Sequence, residues 1–481
     1  MVTRARAQVA PRLALAADDE RTAAEVARVA AERGLPVDRL GLEAAVGAPV
    51  GAIAFVPGTA IDPARAAALA PLCAAAAENR RPVILLAGVE RGRGRAADER
   101  TAALAHLRAH GAIPLDDPDA WFESCVLMAA YGPPPGLRVA IVAPPGGWLA
   151  LAAAGLAAED DVRGGRFGLH DPESESTPIP ADLVLVDARL EAPTPERSGR
   201  ALVVPVVARA ELLVPDGRTA LVGLRAALAA ARAVGRHAER MGAGLGPAPL
   251  TDAKRLKPDR ARADKAFAGA QGGRLGDHEA KLLLSAYGTA VTRQAVASTP
   301  SAAVRYAQTL GWPVEIKTWD AALASERAGG AVVTGIRNPP DVRRAYGAVA
   351  TAGGLEAGVP VIVRQTPPPG RELAVRFEPH AALGWIALVD VPGSGARTVA
   401  PAPLRGADAE DLAAALEASR AGDAPLDRAA LADLLVRASF AAFHDDAVAA
   451  LDLARVVVGK KGEGAVVVDA RVELKPARRR G

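Results

Sequence analysis

Short apolar runs alternate with longer segments of helical periodicity along the first part of the chain. The apolar runs are bounded by turn or charged residues, which is typical of buried strands. They occupy residues 13–18, 51–58 and 81–88. The segments 20–34 and 62–80 between them repeat apolar positions at helical spacing, and the second begins with Asp62 and Pro63, a favoured helix start. This alternation predicts βαβ units and largely parallel sheets.

The same alternation begins again after the proline-rich break GPPPG at 132–136. Four further strand-like runs precede a long helical segment at 224–242. These runs lie at 137–147, 181–190, 201–210 and 219–223. The pattern predicts a second small open α/β sheet.

Residues 244–272 are polar, basic and rich in glycine and proline, which predicts an interdomain linker. A third unit follows, starting with a helix near 276–288. Its strand-like runs include two hairpin-like pairs at 384–400 and 455–472, and a helical stretch is predicted from 409 to 453. Mixed strands and helices of this kind predict an α+β domain.

Composition narrows the class of protein. A length of 481 residues favours two to four domains, and a hydrophobic fraction of 50% allows real cores. A net charge of only +3, with acids and bases interspersed, argues against nucleic acid as a partner. Cys73 and Cys125 lie far apart in apolar helical segments, which predicts buried thiols. The sequence contains no long uninterrupted apolar run and no convincing signal peptide, so we expect a cytoplasmic chain without a membrane partner.

The loop and helix start at 92–107 follow a strand-like run, where α/β proteins usually keep their chemistry. The segment offers arginines, an aspartate and a glutamate but no nucleophile. Arg93, Arg95 and Arg100 could bind an anion at the helix start, or the loop is simply solvated surface. Gly146 and Gly147 leave a similar choice, between an anion cradle and a plain βα turn.

Several segments together resemble the NDP-forming acyl-CoA synthetases, relatives of succinyl-CoA synthetase. They are RPVILLAG with the arginine-rich loop, LRVAIVAPPGG, EAKLLLSAYG, VEIK, PPPGREL and AVVVDARV, in this order. The resemblance implies an α/β fold with two flavodoxin-like open parallel-sheet domains, at 1–132 and 136–243. A linker at 244–272 and an α+β ATP-grasp domain at 273–476 would follow. The amino-terminal CoA-binding domain of that family is expected to be absent, because residues 1–50 are too few.

The family resemblance also implies phosphohistidines, and this chain departs from it there. Arg100 stands at the first expected position, and Ala324 at the second. Arginine remains protonated and cannot relay a phosphoryl group as imidazole does. No catalytic residue is therefore predicted, and the loop at 92–107 would be a decayed site.

The resemblance implies ATP and Mg²⁺ as ligands of the third unit. Its nucleotide-binding positions fall on Lys317, Gln365, Arg371 and Glu372, with Arg364 where a glutamine is expected. Asp469 matches one metal-binding acid. The amide ligand is replaced by Ala454, next to Arg455. Two alternatives stay open: Lys317 could pair with a neighbouring carboxylate at a strand end, and Asp469 could cap the last strand.

Two functions follow from these matches and departures. In the first, the chain is a diverged, catalytically impaired relative that retains ATP binding and has a regulatory or partner-subunit role. In the second, it is an active acetate–CoA ligase subunit that forms acyl-CoA from an acid, CoA and ATP. The second function requires a partner chain carrying the CoA-binding domain. A homo-oligomer is the other assembly expected.

Overall fold

The computed structural model describes eleven stretches of the 481-residue chain. They are 12–88, 95–160, 167–170, 179–190, 200–208, 219–270, 273–318, 332–352, 360–394, 396–418 and 426–476. The chain divides into two compact units between Gly246 and Pro247. No helix among these residues combines the length and apolar character that crossing a membrane requires.

The first sheet of the first unit is built from five parallel strands in the described residues. The strands are β1 (Leu13–Ala17), β2 (Val37–Arg39), β3 (Ala52–Val56), β4 (Val83–Leu86) and β5 (Ile113–Leu115). The helices are α1 (Glu20–Glu32), α2 (Leu42–Gly47), α3 (Pro63–Glu78), α4 (Arg95–Ala109) and α5 (Pro118–Ala130). The strand order β2-β1-β3-β4-β5 is that of a flavodoxin-like sheet.

The second sheet of this unit repeats the same topology. Its described strands are β6 (Val139–Val142), β7 (Phe167–His170), β8 (Leu183–Asp187), β9 (Leu202–Val207) and β10 (Leu221–Val222). The helices are α6 (Trp148–Asp160) and α7 (Leu224–Ala243). All strands run parallel in the order β10-β9-β8-β6-β7. The predicted pair of flavodoxin-like open sheets is confirmed.

Three helices of the first unit begin after an aspartate that caps them. Asp19, Asp62 and Asp117 each accept a hydrogen bond from a first-turn backbone N–H of α1, α3 and α5. The predicted cap at Asp62 is therefore confirmed. The two cysteines are buried as expected, and burial raises the pKa of Cys73 to about 12. At neutral pH that side chain is a packed thiol rather than a reactive thiolate.

A buried ion pair joins α1 to α5 and to the region around β10. The Arg33 guanidinium donates to both carboxylate oxygens of Glu123, at 2.9 and 3.2 Å, and to the carbonyl of Ala220 at 2.8 Å. The backbone N–H of Val222 donates to the same carboxylate at 3.0 Å. Burial raises the pKa of Glu123, and Arg33 opposes that rise. The pair satisfies a carboxylate that would otherwise be unfavourable in this core.

The second unit contains two antiparallel sheets. Its strands are β11 (Arg274–Leu275), β12 (Gln294–Ala297), β13 (Val314–Thr318), β14 (Val332–Ile336), β15 (Val361–Gln365), β16 (Arg371–His380), β17 (Gly384–Val391), β18 (Ala396–Pro401), β19 (Val448–Val458) and β20 (Ala465–Leu474). A six-stranded sheet has the order β11-β20-β19-β16-β17-β18, and a four-stranded sheet has the order β12-β15-β13-β14 in the described residues. The predicted hairpins β17–β18 and β19–β20 are confirmed.

Helices cover these sheets. They are α8 (Arg260–Ala268), α9 (Asp277–Ala286), α10 (Pro300–Leu310), α11 (Pro339–Ala352), α12 (Gly406–Ala418) and α13 (Arg428–Ala441), with a 3-10 helix at Leu250–Leu256. The buried side chains of α9, α12 and α13 pack with the six-stranded sheet in one hydrophobic core. The α+β prediction for this part of the chain is confirmed.

Two local predictions need correction. The stretch 244–272 is not simply a linker, because it contains the 3-10 helix and α8, whose Ala263 and Ala266 are fully buried in the core of the second unit. The helix predicted to run to residue 453 is also wrong, since the chain is already in β19 from Val448. Alanine-rich segments have high helix propensity, but pairing with β16 and β20 overrides it here.

Candidate functional site

Six charged side chains meet inside the second unit. We call this group the charge cluster, and it consists of Asp277, Lys281, Glu315, Lys317, Arg364 and Asp469. Five of the six side chains are at most 7% exposed, and only Asp469, at 28%, reaches solvent appreciably. Charged groups this deeply buried are rare unless they are paired.

Strand geometry and one helix start bring these residues together. Glu315 and Lys317 are two apart on β13, so both side chains lie on one face of the four-stranded sheet. Arg364 on β15 is the register partner of Glu315. Asp277 opens α9 and accepts a hydrogen bond from the backbone N–H of Ala470 at 2.9 Å, next to Asp469 on β20. The cluster therefore spans both sheets of the unit.

Asp469 is held by two cations. Its Oδ1 lies 2.8 Å from Lys317 Nζ and 2.6 Å from Arg364 Nη1. Lys317 Nζ is also 2.9 Å from Asp277 Oδ2, and Arg364 Nη2 is 2.7 Å from Glu315 Oε2. Each of these two cations thus has one deeply buried carboxylate and shares the carboxylate of Asp469.

Lys281 completes the cluster at its inner end. Its Nζ lies 3.1 Å from Asp277 Oδ2 and donates to Thr292 Oγ1 at 2.9 Å and to Gln294 Oε1 at 2.8 Å. The cluster contains three carboxylates and three cations, so its formal charge is zero. Such a neutral, hydrogen-bonded arrangement is the condition under which buried charges are tolerated.

The carboxyl groups of Asp469 and Asp277 are ionised because of these partners. Burial alone would raise the pKa of Asp469, but Lys317 and Arg364 bring it well below its usual range. Burial likewise opposes ionisation of Asp277, and Lys281 and Lys317 lower its pKa below the ordinary value. Burial also lowers the pKa of Lys281 to about 8, against the attraction of Asp277.

The depressed pKa of Asp469 predicts how acid affects the variant Asp469→Asn. A carboxyl group with a lowered folded-state pKa contributes stability above its unfolded pKa and loses it as the pH falls. The stability difference between wild type and Asp469→Asn should therefore be constant from pH 7 to 5. Below pH 4 it should shrink by about 1.4 kcal/mol per pH unit. Urea unfolding at pH 7, 5 and 3 measures it; a difference unchanged at pH 3 would contradict the ion pairing.

The sequence-predicted nucleotide residues do not all join the cluster. Lys317 and Asp469 are in direct contact, whereas Gln365 is exposed and its neighbour Arg364 points into the cluster. Arg371 donates to the carbonyl of Leu416 at 3.2 Å, and Glu372 accepts a hydrogen bond from Arg455 Nε at 2.9 Å. Arg455, the cation next to Ala454, is thus paired with Glu372, one of the predicted nucleotide-binding residues.

Sequence reasoning missed Asp277, Lys281 and Glu315. Two signals could have found them. Glu315 and Lys317 interrupt an otherwise apolar strand at a spacing that places both on one face, and Asp277 and Lys281 stand four apart at a helix start. Neither signal reveals that the two pairs meet, because the side chains of α9 and β13 come into contact only when the unit folds.

The residues around Asp469 do not fit a magnesium ion. Mg²⁺ requires an octahedral set of oxygen ligands. Lys317 and Arg364 already contact Asp469 Oδ1 and would repel a metal ion bound beside them, and the position of the amide ligand is Ala454. Across the stretches that the structure describes, no three His, Cys, Asp or Glu side chains are grouped so as to hold a metal.

In the first unit, the guanidinium of Arg100 is hydrogen-bonded to neighbouring backbone and side-chain groups. Its Nη2 donates to the carbonyls of Ala87 and Gly88 at the end of β4, and lies 3.0 Å from Asp116 Oδ1. Arg93 and Ala324 lie outside the described residues, as does the side chain of Arg95. The glycines at 146 and 147 form a turn before α6, in which the Gly147 N–H donates to the Pro144 carbonyl.

The first unit also has a cavity of about 810 Å³ between α1, α5 and the start of α7. Its lining is mainly apolar and includes Val29, Phe122 and Leu224, with the Arg33–Glu123 pair at one side. No sequence motif predicted this cavity, since it is formed by helices distant in the chain.

Comparisons with known proteins identify a family match in the second unit and two related CoA ligases. Residues 266–474 match the family model described as an ATP-grasp domain. The chain is 28% identical over 214 residues to the beta subunit of ADP-forming acetate–CoA ligase II from Pyrococcus furiosus, covering 41% of this chain and 91% of that protein. It is 23% identical over 212 residues to the ADP-forming 4-hydroxybutyrate–CoA ligase from Nitrosopumilus maritimus, covering 41% of this chain and 30% of the relative.

Among solved structures, the dinucleotide-forming acetyl-coenzyme A synthetase 1 from Candidatus Korarchaeum cryptofilum is 27% identical, with a TM-score of 0.41. The match covers 45% of this chain and 100% of that one. The family match at 266–474 lies in the unit that holds the charge cluster, and the resemblance carried by VEIK and AVVVDARV is confirmed. Residues 266–474 therefore form an ATP-grasp domain, homologous to the beta subunit of an ADP-forming acetate–CoA ligase and to related CoA ligases.

Proposed function

We propose that this acyl-CoA ligase-like ATP-grasp protein binds a nucleotide but transfers no phosphoryl group, and that it has a regulatory or partner-subunit role. The observation that carries the proposal is the double ion pair on Asp469. Phosphoryl transfer depends on metal ions that bridge phosphate oxygens and neutralise the developing charge. A carboxylate already neutralised by Lys317 and Arg364 is a poor ligand for such an ion.

The first unit supports the same conclusion. A phosphoryl relay needs an imidazole, and Arg100 instead directs its guanidinium to two backbone carbonyls and Asp116. A guanidinium has five donors and no acceptor or nucleophilic lone pair at neutral pH. Loss of phosphoryl transfer does not exclude nucleotide binding. Lys317 and Arg364 are cations of the kind that bind the phosphate groups of nucleotides.

The test is turnover by the purified full chain. We expect no ADP release above background with ATP, Mg²⁺, acetate and CoA, and no acid-stable or base-stable label on the protein after incubation with γ-labelled ATP. The Pyrococcus acetate–CoA ligase, assembled from its subunits, is the positive control for the assay. ADP release that depends on both acid and CoA would refute the proposed impairment.

A second candidate is an active ligase subunit that needs a partner. The observation that favours it is the match to the Pyrococcus furiosus protein. The match covers 91% of that protein, which is itself a beta subunit. In this case, turnover would be absent from the isolated chain and would appear on addition of a chain carrying a CoA-binding domain. Reconstitution with such a chain separates the two candidates, and light scattering of the isolated protein tests the alternative of a homo-oligomer.

A further inference from the structure

We propose that the charge cluster binds a phosphate-bearing anion without a divalent cation, and that Asp469 is the internal anion which this ligand displaces from Lys317 and Arg364. The inference rests on the nucleotide binding proposed above. It identifies the side chains that would bind the phosphate groups and the chemical class of the ligand. It also reverses the role that the family resemblance gives to Asp469. The residue competes with the ligand instead of helping to bind it.

Exposure distinguishes Asp469 from the other two carboxylates. Its side chain is 28% exposed, compared with 7% for Asp277 and 5% for Glu315. A ligand arriving from solvent therefore meets the cluster at Asp469. A carboxylate with one side in water can also rotate outward and regain hydration, whereas Asp277 and Glu315 are almost fully buried and have no such access to water.

The two cations are arranged as they would be around a phosphate oxygen. Lys317 Nζ and Arg364 Nη1 approach the same oxygen, Asp469 Oδ1, at 2.8 and 2.6 Å. Charge-assisted hydrogen bonds of this length are typical of cations that bind carboxylate or phosphate. A phosphate oxygen could occupy the same position and accept both hydrogen bonds.

Displacing Asp469 leaves a stable anion site behind. Lys317 would keep Asp277 at 2.9 Å, and Arg364 would keep Glu315 at 2.7 Å and the carbonyl of Val468 at 3.0 Å. Neither cation would be left as an isolated buried charge. Without Asp469 the cluster has two carboxylates and three cations, and this excess of one positive charge favours an anion.

Arg364 is the reason that no divalent cation is needed. The family resemblance places a neutral glutamine at this position. The guanidinium of Arg364 instead brings a permanent positive charge next to the carboxylate of Asp469. A divalent cation would be repelled by Lys317 and Arg364, whereas polyphosphate oxygens would be neutralised by them. The ligand class is therefore a nucleoside di- or triphosphate or an inorganic polyphosphate in its metal-free form.

The test compares affinities in EDTA by isothermal titration calorimetry, with ATP and pyrophosphate as probes. Asp469→Asn should bind both probes about tenfold more tightly than wild type, since one charge-assisted interaction no longer competes. The matched control is Asp390→Asn. It removes an ion pair with Arg397 on the same sheet, three strands from β20, and should bind like wild type. Lys317→Met should bind at least tenfold more weakly.

Folding of the variants is checked by hydrogen exchange. Lys317→Met leaves Asp469 with Arg364 and Asp277 with Lys281, so no carboxylate of the cluster is left alone. If wild type binds ATP only with Mg²⁺ and Asp469→Asn weakens that binding, Asp469 is a metal ligand and the inference is wrong. Absence of binding in EDTA by wild type and Asp469→Asn, or tightening for ATP but not pyrophosphate, also overturns it. None of these three results requires turnover, so each is distinct from failure of the proposed lack of phosphoryl transfer, which is tested by ADP release.

Discussion

Replacing Arg364 by methionine is expected to lower the free energy of unfolding of the second unit by about 3–5 kcal/mol. Arg364 holds Glu315 through Nε at 2.8 Å and Nη2 at 2.7 Å, and Glu315 is almost fully buried. Methionine fills similar space but leaves that carboxylate without its partner in a low-dielectric environment. Asp469 loses one of its two cations as well, although it keeps Lys317.

Hydrogen exchange with mass spectrometry on the full chain can locate the loss, because protection should fall in peptides from the second unit. Arg397→Met is the matched control. It breaks the partly exposed pair with Asp390 and should change stability by less than about 1 kcal/mol. The double variant Glu315→Leu with Arg364→Met should recover part of the loss, since it removes the buried charge itself. Equal losses in the single variant and its control would contradict the cluster.

Replacing Arg33 by methionine is expected to destabilise the first unit by about 3 kcal/mol at neutral pH. The change removes both hydrogen bonds to the Glu123 carboxylate and the one to the Ala220 carbonyl. Among the described residues, only the Val222 N–H then remains on this buried carboxylate. The same pair lies beside the cavity of the first unit, so its loss should also increase exchange in α1 and α5.

The loss should depend on pH in a defined direction. Burial already raises the pKa of Glu123, and removing Arg33 raises it further. A carboxyl group with a raised folded-state pKa disfavours folding once it must ionise, so the loss should grow from pH 5 to pH 8. Urea unfolding at the two values measures it. Arg28→Met, which breaks an exposed pair on the same helix, should change stability by less than about 0.5 kcal/mol at either pH.

Much of the fold is readable from the sequence because the pattern of apolar residues directly reflects burial. Strands β1, β3 and β4 are continuous apolar runs, as is β8 up to its final Asp187, and parallel sheets covered on both faces require such runs. The short strands β2 and β5 escaped prediction because three residues are too few to show a period. The start of β19 was misread since alanine favours helices locally and only pairing with β16 and β20 makes this segment extended.

The candidate site, like the fold, was predicted only in part from the sequence. The motif VEIK and the final VVVDARV identified Lys317 and Asp469, and the structure joins them at 2.8 Å. Their roles toward a nucleotide and a metal stay predictions. The family pattern could not show that Arg364 shares the carboxylate of Asp469. Residues 317, 364 and 469 lie on three separate strands, and their mutual distances depend on strand registers that are set by the whole unit.

The sequence by itself indicated most of the elements, the two flavodoxin-like sheets and the ATP-grasp unit. Each of these depends on residue identity or on local periodicity, both of which are visible in one dimension. Only the tertiary structure decided which charges are paired. Pairing depends on distances of a few ångströms between residues far apart in the chain, and burial then determines the strength of each pair. For that reason the carboxylate that a motif suggests for a metal is, in the folded protein, neutralised by a lysine and an arginine.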